Sequence, residues 1–306
     1  MGYKADNAVI MAAGLSSRFA PLSYEKPKAL IPVRGEVLIE RQIRQLREAG
    51  IPEIYVVTGY KGEQFRYLEK KWKVKLIDNP EYLERNNNGS IYAARKVLKN
   101  SYLCSADNYF TENPFTSEAE DSYYAAVYSE GETKEWCMKT DESGWIKEVS
   151  VGGRDSWYMM GHTFWSETFT ERFLKILEKE YQLPKTRDKL WEDIYLEHLD
   201  VLPMKLRPYD ASVIFEFDSL DELREFDPRY RRESGSRILK KTAELLACEE
   251  EEIVQIKPVK QGNLACGMTF VCRGTVYEYD YEKEELCRKQ DGGMAVSYTH
   301  LRAHET

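Results

Sequence analysis

The apolar positions along the chain change period repeatedly, and those changes are the first guide to its structure. Ala8 to Ala13 is a short, almost unbroken apolar run that stops at Gly14, as expected of a strand covered on both faces in a parallel sheet. From about Val37 to Ala49 the spacing turns helical: Leu38, Ile39, Gln42, Ile43, Leu46 and Ala49 share one side, and Gly50 supplies the terminal cap. The pattern then predicts a strand over 54–58, a helix near 62–71, a strand at 74–77, a helix over 90–98 with Ser90 as N-cap, and a strand at 102–106. This β-α-β-α order predicts an α/β fold with a doubly wound, mostly parallel sheet that binds ligands at the carboxyl ends of its strands.

Beyond Asp121 the texture becomes β-rich. Strands are expected at 124–128, 136–139, 145–151 and 158–164, with turns at Gly144 and at Gly152-Gly153. They are expected to extend the sheet and form a lid or acceptor pocket. Amphipathic helices at 167–181 and 187–199 follow, then a strand at 212–217 returning to the sheet. These boundaries place one domain over 1–230, a charged linker at 231–236, and a partial α+β module at 237–294 built from a helix and short strands. The tail 295–306 shows no periodic pattern and resembles the translated adapter sequence that ends open reading frames from assembled metagenomes, so it is set aside.

Composition narrows the function. The 52 acidic against 44 basic residues, a formal charge of -8, argue against broad binding to nucleic acid or an anionic membrane. A small anionic substrate therefore needs a local basic pocket. The N-terminus carries no signal-like segment, and no apolar run of about 18 residues is present, so a cytoplasmic protein is expected. Six scattered cysteines without a CxxC pair read as reduced thiols. The sequence leaves oligomeric state open, and a homo-oligomer is compatible with it.

Three stretches carry candidate chemistry. The turn after the first strand, Ala12-Ala13-Gly14-Leu15-Ser16-Ser17-Arg18, is followed by Lys28 in KPKAL. Backbone amides beside Gly14, Ser16 and Ser17, with two cations, are what a departing pyrophosphate requires. The pattern is neither a Walker A loop nor a GxGxxG fingerprint. Asp107, at the end of the strand 102–106, stands where a Mg²⁺ ligand belongs, although Asp and Asn are also ordinary loop residues. Asp218, in Phe215-Glu-Phe-Asp-Ser219, is a second carboxylate, and helix capping by Asp218 or Ser219 is the competing reading.

The first stretch resembles the LxAGxGxR and PKxL signature of the nucleoside-triphosphate transferases. Further segments resemble one subgroup, the bacterial choline-phosphate cytidylyltransferases: AAGLSSRF, KPKAL, IYVVTGYKGEQFRYL, Ser90 to Ala94, SADNY, KEW ending at Trp136, GHTFW, LWED and IFEFDS. The resemblance spans residues 8 to about 230 and implies a Rossmann-like nucleotidyltransferase fold. It implies that Arg18 and Lys28 contact the CTP phosphates, that Asp107 and Asp218 hold Mg²⁺, and that Gly59, Tyr60, Asn88 and Ser90 line the base and ribose pocket. Trp136 and Trp191 would pack around a trimethylammonium with Glu192 as counter-charge. Leu190 stands where the subgroup usually has Tyr, which leaves ethanolamine phosphate or another small amine as an alternative acceptor. A sugar 1-phosphate acceptor, and a nucleotide-sensing domain without chemistry, are the competing functions. Finally, 253–262 with the hairpin after it resembles the start of a choline or ethanolamine kinase N-lobe. The catalytic residues of such a kinase would lie downstream, so no kinase activity is expected here.

Overall fold

The computed structural model describes residues 2–289 and the backbone of a two-residue strand at 296–297; the rest of the tail set aside above lies outside the described residues. The chain divides into two compact units. One comprises residues 1–14 and 35–216, the other 15–34 and 217–306. The loop carrying Arg18 and Lys28 therefore belongs with the C-terminal residues, a grouping that differs from the boundaries at 230 and 236 drawn from sequence.

The first unit is built on a seven-stranded sheet. Its strands are β1 (Asn7–Ala12), β2 (Glu53–Thr58), β3 (Lys75–Asp78), β4 (Ser101–Ser105), the long β6 (Tyr123–Thr140) and β7 (Ile146–Trp165), and β8 (Lys205–Tyr209), while the short β5 (Asn108–Phe110) follows β4 outside it. The order is β8-β6-β7-β4-β1-β2-β3. The pairs β1/β2, β1/β4, β2/β3 and β6/β8 are parallel, and β7 runs antiparallel to both its neighbours. The expected mostly parallel, doubly wound sheet is what forms. Ala8, Val9 and Ile10 of β1 are fully buried, as an apolar run between two strand neighbours demands.

Helix α1 (Leu38–Glu48) buries Leu38, Ile39, Ile43 and Leu46. Helix α2 spans Asn88–Ala94, starting before the expected Ser90, which sits buried inside it. Helix α3 (Glu167–Glu180) is capped by Ser166, whose Oγ accepts from Phe169 N. Helix α4 (Trp191–Leu196) is shorter than the expected 187–199, and a 3₁₀ turn at Pro184–Thr186 precedes it. Trp165, Phe169, Phe173, Trp191 and Tyr195 form one aromatic core between α3, α4 and β7. His162 of the GHTFW segment is buried in a second cluster beside Tyr123 and Tyr209. Burial holds it neutral, its pKa pushed down to about 3.

Two expectations are corrected. The four short strands after Asp121 are two long ones, and Gly152-Gly153 lies inside β7 rather than at a turn. A Cβ on Gly153 would stand 2.8 Å from Cys137 Sγ, so the glycine answers to a close approach at an irregular register rather than to a chain reversal. The late strand β9 (Ile214–Glu216) returns to β5 in a separate two-stranded ladder, not to the main sheet.

The second unit contains α5 (Leu220–Phe226), α6 (Arg237–Leu246) and an antiparallel meander of β10 (Ile253–Gln261), β11 (Leu264–Cys272), β12 (Thr275–Asp280) and β13 (Glu285–Arg288). This helix and meander are what stands in the segment compared with a kinase N-lobe. Buried Arg224 ties α5 to the start of β10, its guanidinium donating to Ile253 O at 2.6 Å and Glu250 O at 2.7 Å. The stretch read as a linker is held in place, with Ser234 and Ser236 buried and Ser234 N donating to Glu250 Oε2. All six cysteines are free thiols. No described helix is long and apolar enough to cross a membrane.

Candidate active site

In the first unit the carboxyl ends of β1, β2, β3 and β4 bring their following residues together. Tyr60 N donates to Ala13 O, Asn79 N to Thr58 O, and Ala106 N to Met11 O, so the strand ends are laced edge to edge. Gly14 is exposed, and a Cβ there would meet nothing within 4 Å, which leaves its backbone open to a ligand. Gly59 is the opposite case: a Cβ would fall 2.7 Å from Tyr82 and 3.0 Å from Ala13. Only glycine fits between those walls, and Tyr82 is a neighbour of Gly59 that the sequence did not signal.

Asp107 lies in the turn between β4 and β5. Buried Gln42 holds that turn on both sides, its Nε2 donating to Ser105 O and to Asn108 O at 2.8 Å each. The helical pattern had marked Gln42 only as part of an apolar stripe. Asn108 pairs in register with Glu216 across the β5/β9 ladder, and its Nδ2 donates to Glu216 Oε2 at 3.3 Å. Asp218 follows two residues after Glu216.

Two proposed pocket residues have other duties. Asn88 is buried, and its amide nitrogen donates to the carbonyls of Thr186, Arg187 and Lys189. It braces the approach to α4 rather than offering that group to a nucleotide. Buried Ser90 accepts from Asn79 Nδ2 at 3.3 Å, beneath the end of β3.

The candidate acceptor residues cluster in the first unit. Trp191 is 1 % exposed, and its ring stacks on Tyr124 at 5.8 Å between centroids. Trp136, partly buried on β6, packs against the same core. Glu192 accepts from Asn87 Nδ2 at 3.0 Å and from Tyr124 OH at 3.3 Å, while Asn87 Oδ1 accepts Trp191 N at 2.7 Å. Burial raises the Glu192 carboxyl to about 7, against the pull of those hydrogen bonds. Tyr124 and Asn87 are further additions, the latter signalled only by the run Asn86-Asn87-Asn88. Glu180, Glu197 and His198 are close enough to one another to hold a metal ion, but Lys189 already pairs with both glutamates.

In the second unit the signature loop curls at Ser16, whose φ of 46° and ψ of 42° are left-handed, and closes a 3₁₀ turn through Phe19 N to Ser16 O. Ser16 occupies the position of the second glycine in the AGxGxR pattern, and the backbone it adopts explains why glycine suits that position. Arg18 Nη1 lies 2.7 Å from Asp218 Oδ2, with both side chains substantially exposed. Lys28 is buried, its ammonium 5.4 Å from the centre of the Phe19 ring. Ser219, not Asp218, caps α5 by accepting Glu222 N, so the Asp218 carboxylate is left for charge chemistry.

Comparisons with known proteins identify the family. Residues 8–133 match the MobA-like NTP transferase domain. The chain is 39% identical over 228 residues to a 2-aminoethylphosphonate cytidylyltransferase of Lancefieldella rimae, covering 73% of this chain and 93% of that one. It is 32% identical to a choline-phosphate cytidylyltransferase of Streptococcus pneumoniae, covering 74% and 99%. The chain belongs to the cytidylyltransferase family of nucleotidyltransferases. The solved structure of CTP:phosphocholine cytidylyltransferase from Streptococcus pneumoniae superposes on this cytidylyltransferase with a TM-score of 0.70 at 33% identity, covering 73% of this chain and 98% of that one. A UDP-glucose pyrophosphorylase at 14% identity and TM-score 0.57 shares the fold.

Two tests follow from this geometry. Left-handed backbone at residue 16 predicts that Ser16→Gly stays within about 1 kcal/mol of the parent while β-branched Ser16→Val costs about 2 kcal/mol, as read by urea unfolding. The raised Glu192 pKa predicts a pH signature. Below about 4.3 the carboxyl is neutral folded and unfolded; between there and about 7 only the unfolded chain ionises, so its stabilising effect fades as pH rises. Unfolding titrations of the parent and Glu192→Gln should therefore diverge in that window, the parent losing stability relative to the variant as pH rises. A constant difference between pH 4 and 8 would contradict the assignment.

Proposed function

We propose that this cytidylyltransferase transfers CMP from CTP to choline phosphate, giving CDP-choline and pyrophosphate. The observation that carries the reading is the Glu192 carboxyl, which accepts from the hydroxyl of Tyr124, whose ring is stacked on buried Trp191; an acidic group bordered by aromatic residues is chemistry that suits a quaternary ammonium. An oxygen of the acceptor phosphate attacks the α-phosphorus in line, the bond to the bridging oxygen breaks, and pyrophosphate leaves with the electron pair. That oxygen is already anionic near pH 7, so positioning and charge neutralisation suffice without a strong general base.

Residues divide the work. Ala12, Ala13, Gly14, Ser16 and Ser17 present backbone to the triphosphate, and Gly59 and Tyr60 border the base. Arg18 and Lys28 stabilise charge growing on the α-phosphate and on the departing pyrophosphate. Asp107 and Asp218 would each offer hard carboxylate oxygens, the ligand type Mg²⁺ prefers, and Gln42 keeps the Asp107 turn in place. When bound, Mg²⁺ offsets phosphate charge. We place the reaction in the cytoplasm, where CTP is available.

A second acceptor class has its own support. Leu190 stands where the choline subgroup has an aromatic residue, and the 39% identical relative is named for 2-aminoethylphosphonate. A primary ammonium donates hydrogen bonds to a carboxylate such as Glu192, which a trimethylammonium cannot do. The sugar 1-phosphate and nucleotide-sensing readings lack comparable support, since the acceptor region is aromatic and Arg18, Lys28, Asp107 and Asp218 are all present.

A pyrophosphate-release assay pairing CTP or UTP with choline phosphate, ethanolamine phosphate or glucose 1-phosphate tests the reading. CTP with choline phosphate should be the fastest pair, and Asp107→Asn should lower kcat by about 10³-fold or more, as loss of a metal-holding carboxylate does. Turnover confined to glucose 1-phosphate, or full activity in Asp107→Asn, would overturn it.

A further inference from the structure

The signature loop is anchored by residues far along the chain. Between Arg18 and Lys28 runs one short helical turn, Leu22–Glu25, and two of its side chains meet the helix and meander of the second unit. Glu25 Oε1 accepts the Ile238 amide at 3.1 Å in the first turn of α6 and lies 3.8 Å from Arg237 Nε. Ser236 caps the same turn through Leu239 N at 3.1 Å, so a loop carboxylate and a local hydroxyl share the amides at a helix end that favours negative charge. One residue earlier, the Tyr24 ring meets Tyr281 at 4.5 Å between centroids, and Tyr281 is 6 % exposed. The far end of the loop is tied as well: Arg34 N donates to Asp227 Oδ2 at 2.7 Å, and Tyr230 OH to Pro32 O at 2.5 Å.

The two cytidylyltransferase relatives above align over 93% and 99% of their own lengths while covering about three quarters of this chain. Part of this chain therefore has no counterpart in them. We propose that α6 and the β10–β13 meander serve as an intramolecular brace for the triphosphate loop, with Glu25 and Tyr281 as positioning residues that set CTP affinity. Neither touches substrate. They act by fixing the turn Leu22–Glu25, with Arg18 four residues before its start and Lys28 three residues after its end. A loop free to wander would meet the entropy cost of ordering both cations at each binding event, and a braced loop has met it on folding.

The inference rests on the loop being the triphosphate-binding segment. It is tested on the full chain by CTP titration without acceptor, alongside KM and kcat. Tyr281→Ala and Glu25→Ala should each weaken CTP binding and raise its KM about tenfold, the scale of a lost ring contact or helix-end charge, with kcat at saturating CTP within about twofold. The Tyr281 hydroxyl is buried without a hydrogen-bond partner among the described residues, so Tyr281→Phe should bind CTP like the parent. Glu25→Gln keeps an acceptor for the Ile238 amide and isolates the charge, with a smaller loss expected if Tyr281→Ala does not fold. Unchanged CTP affinity in folded variants would overturn the brace, as would equal losses in kcat and in both KM values tracking thermal stability. A parent chain that binds no CTP would instead remove the reading of the loop itself.

Discussion

The proposed reaction depends on holding two cations, Arg18 and Lys28, on one loop to oppose a triphosphate. Each of the two positive charges has its own local setting. Lys28 is buried beside Phe19, and Arg18 shares its charge with Asp218 at 2.7 Å. That exposed pair adds little to stability. Under the proposed function the pair keeps both charges compensated until ligands arrive, since these two residues are the ones proposed for phosphate and for Mg²⁺.

The acceptor end follows a different logic. Glu192 is set among aromatic residues where its charge is disfavoured, and its pKa near 7 means that a cation entering beside it would draw out the proton. At the proposed acceptor site, acceptor charge and carboxylate ionisation would thus be coupled, and an uncharged sugar moiety would gain nothing from the arrangement. Asn87 connects this carboxyl to the backbone of Trp191, so the aromatic wall and its counter-charge are positioned together.

Local chemistry was legible in the sequence. The buried β1 run, the turn after it at Gly14, and the positions of Asp107 after β4 and of Asp218 after the late strand were readable because each depends on residues within a few positions. What escaped were features made by distant contacts. Glu25 with Ile238, Arg34 with Asp227 and Gln42 with Asn108 join residues far apart in sequence, and no periodicity announces them. The glycine pair 152–153 misled because close approach to Cys137 and a turn ask for the same residue. Nor did the sequence announce that the Asn88 amide nitrogen braces the carbonyls of Thr186 and Lys189, a contact made across nearly a hundred residues.

The acceptor is the point on which the account turns, and a competition settles it most directly. Full-length protein is incubated with CTP, Mg²⁺ and equal concentrations of choline phosphate and 2-aminoethylphosphonate, and the products are followed by ³¹P NMR, which separates a diphosphate from a phosphonate–phosphate linkage. The account predicts CDP-choline as the predominant early product. Predominant formation of the cytidylyl phosphonate would contradict it and assign Glu192 to a primary ammonium.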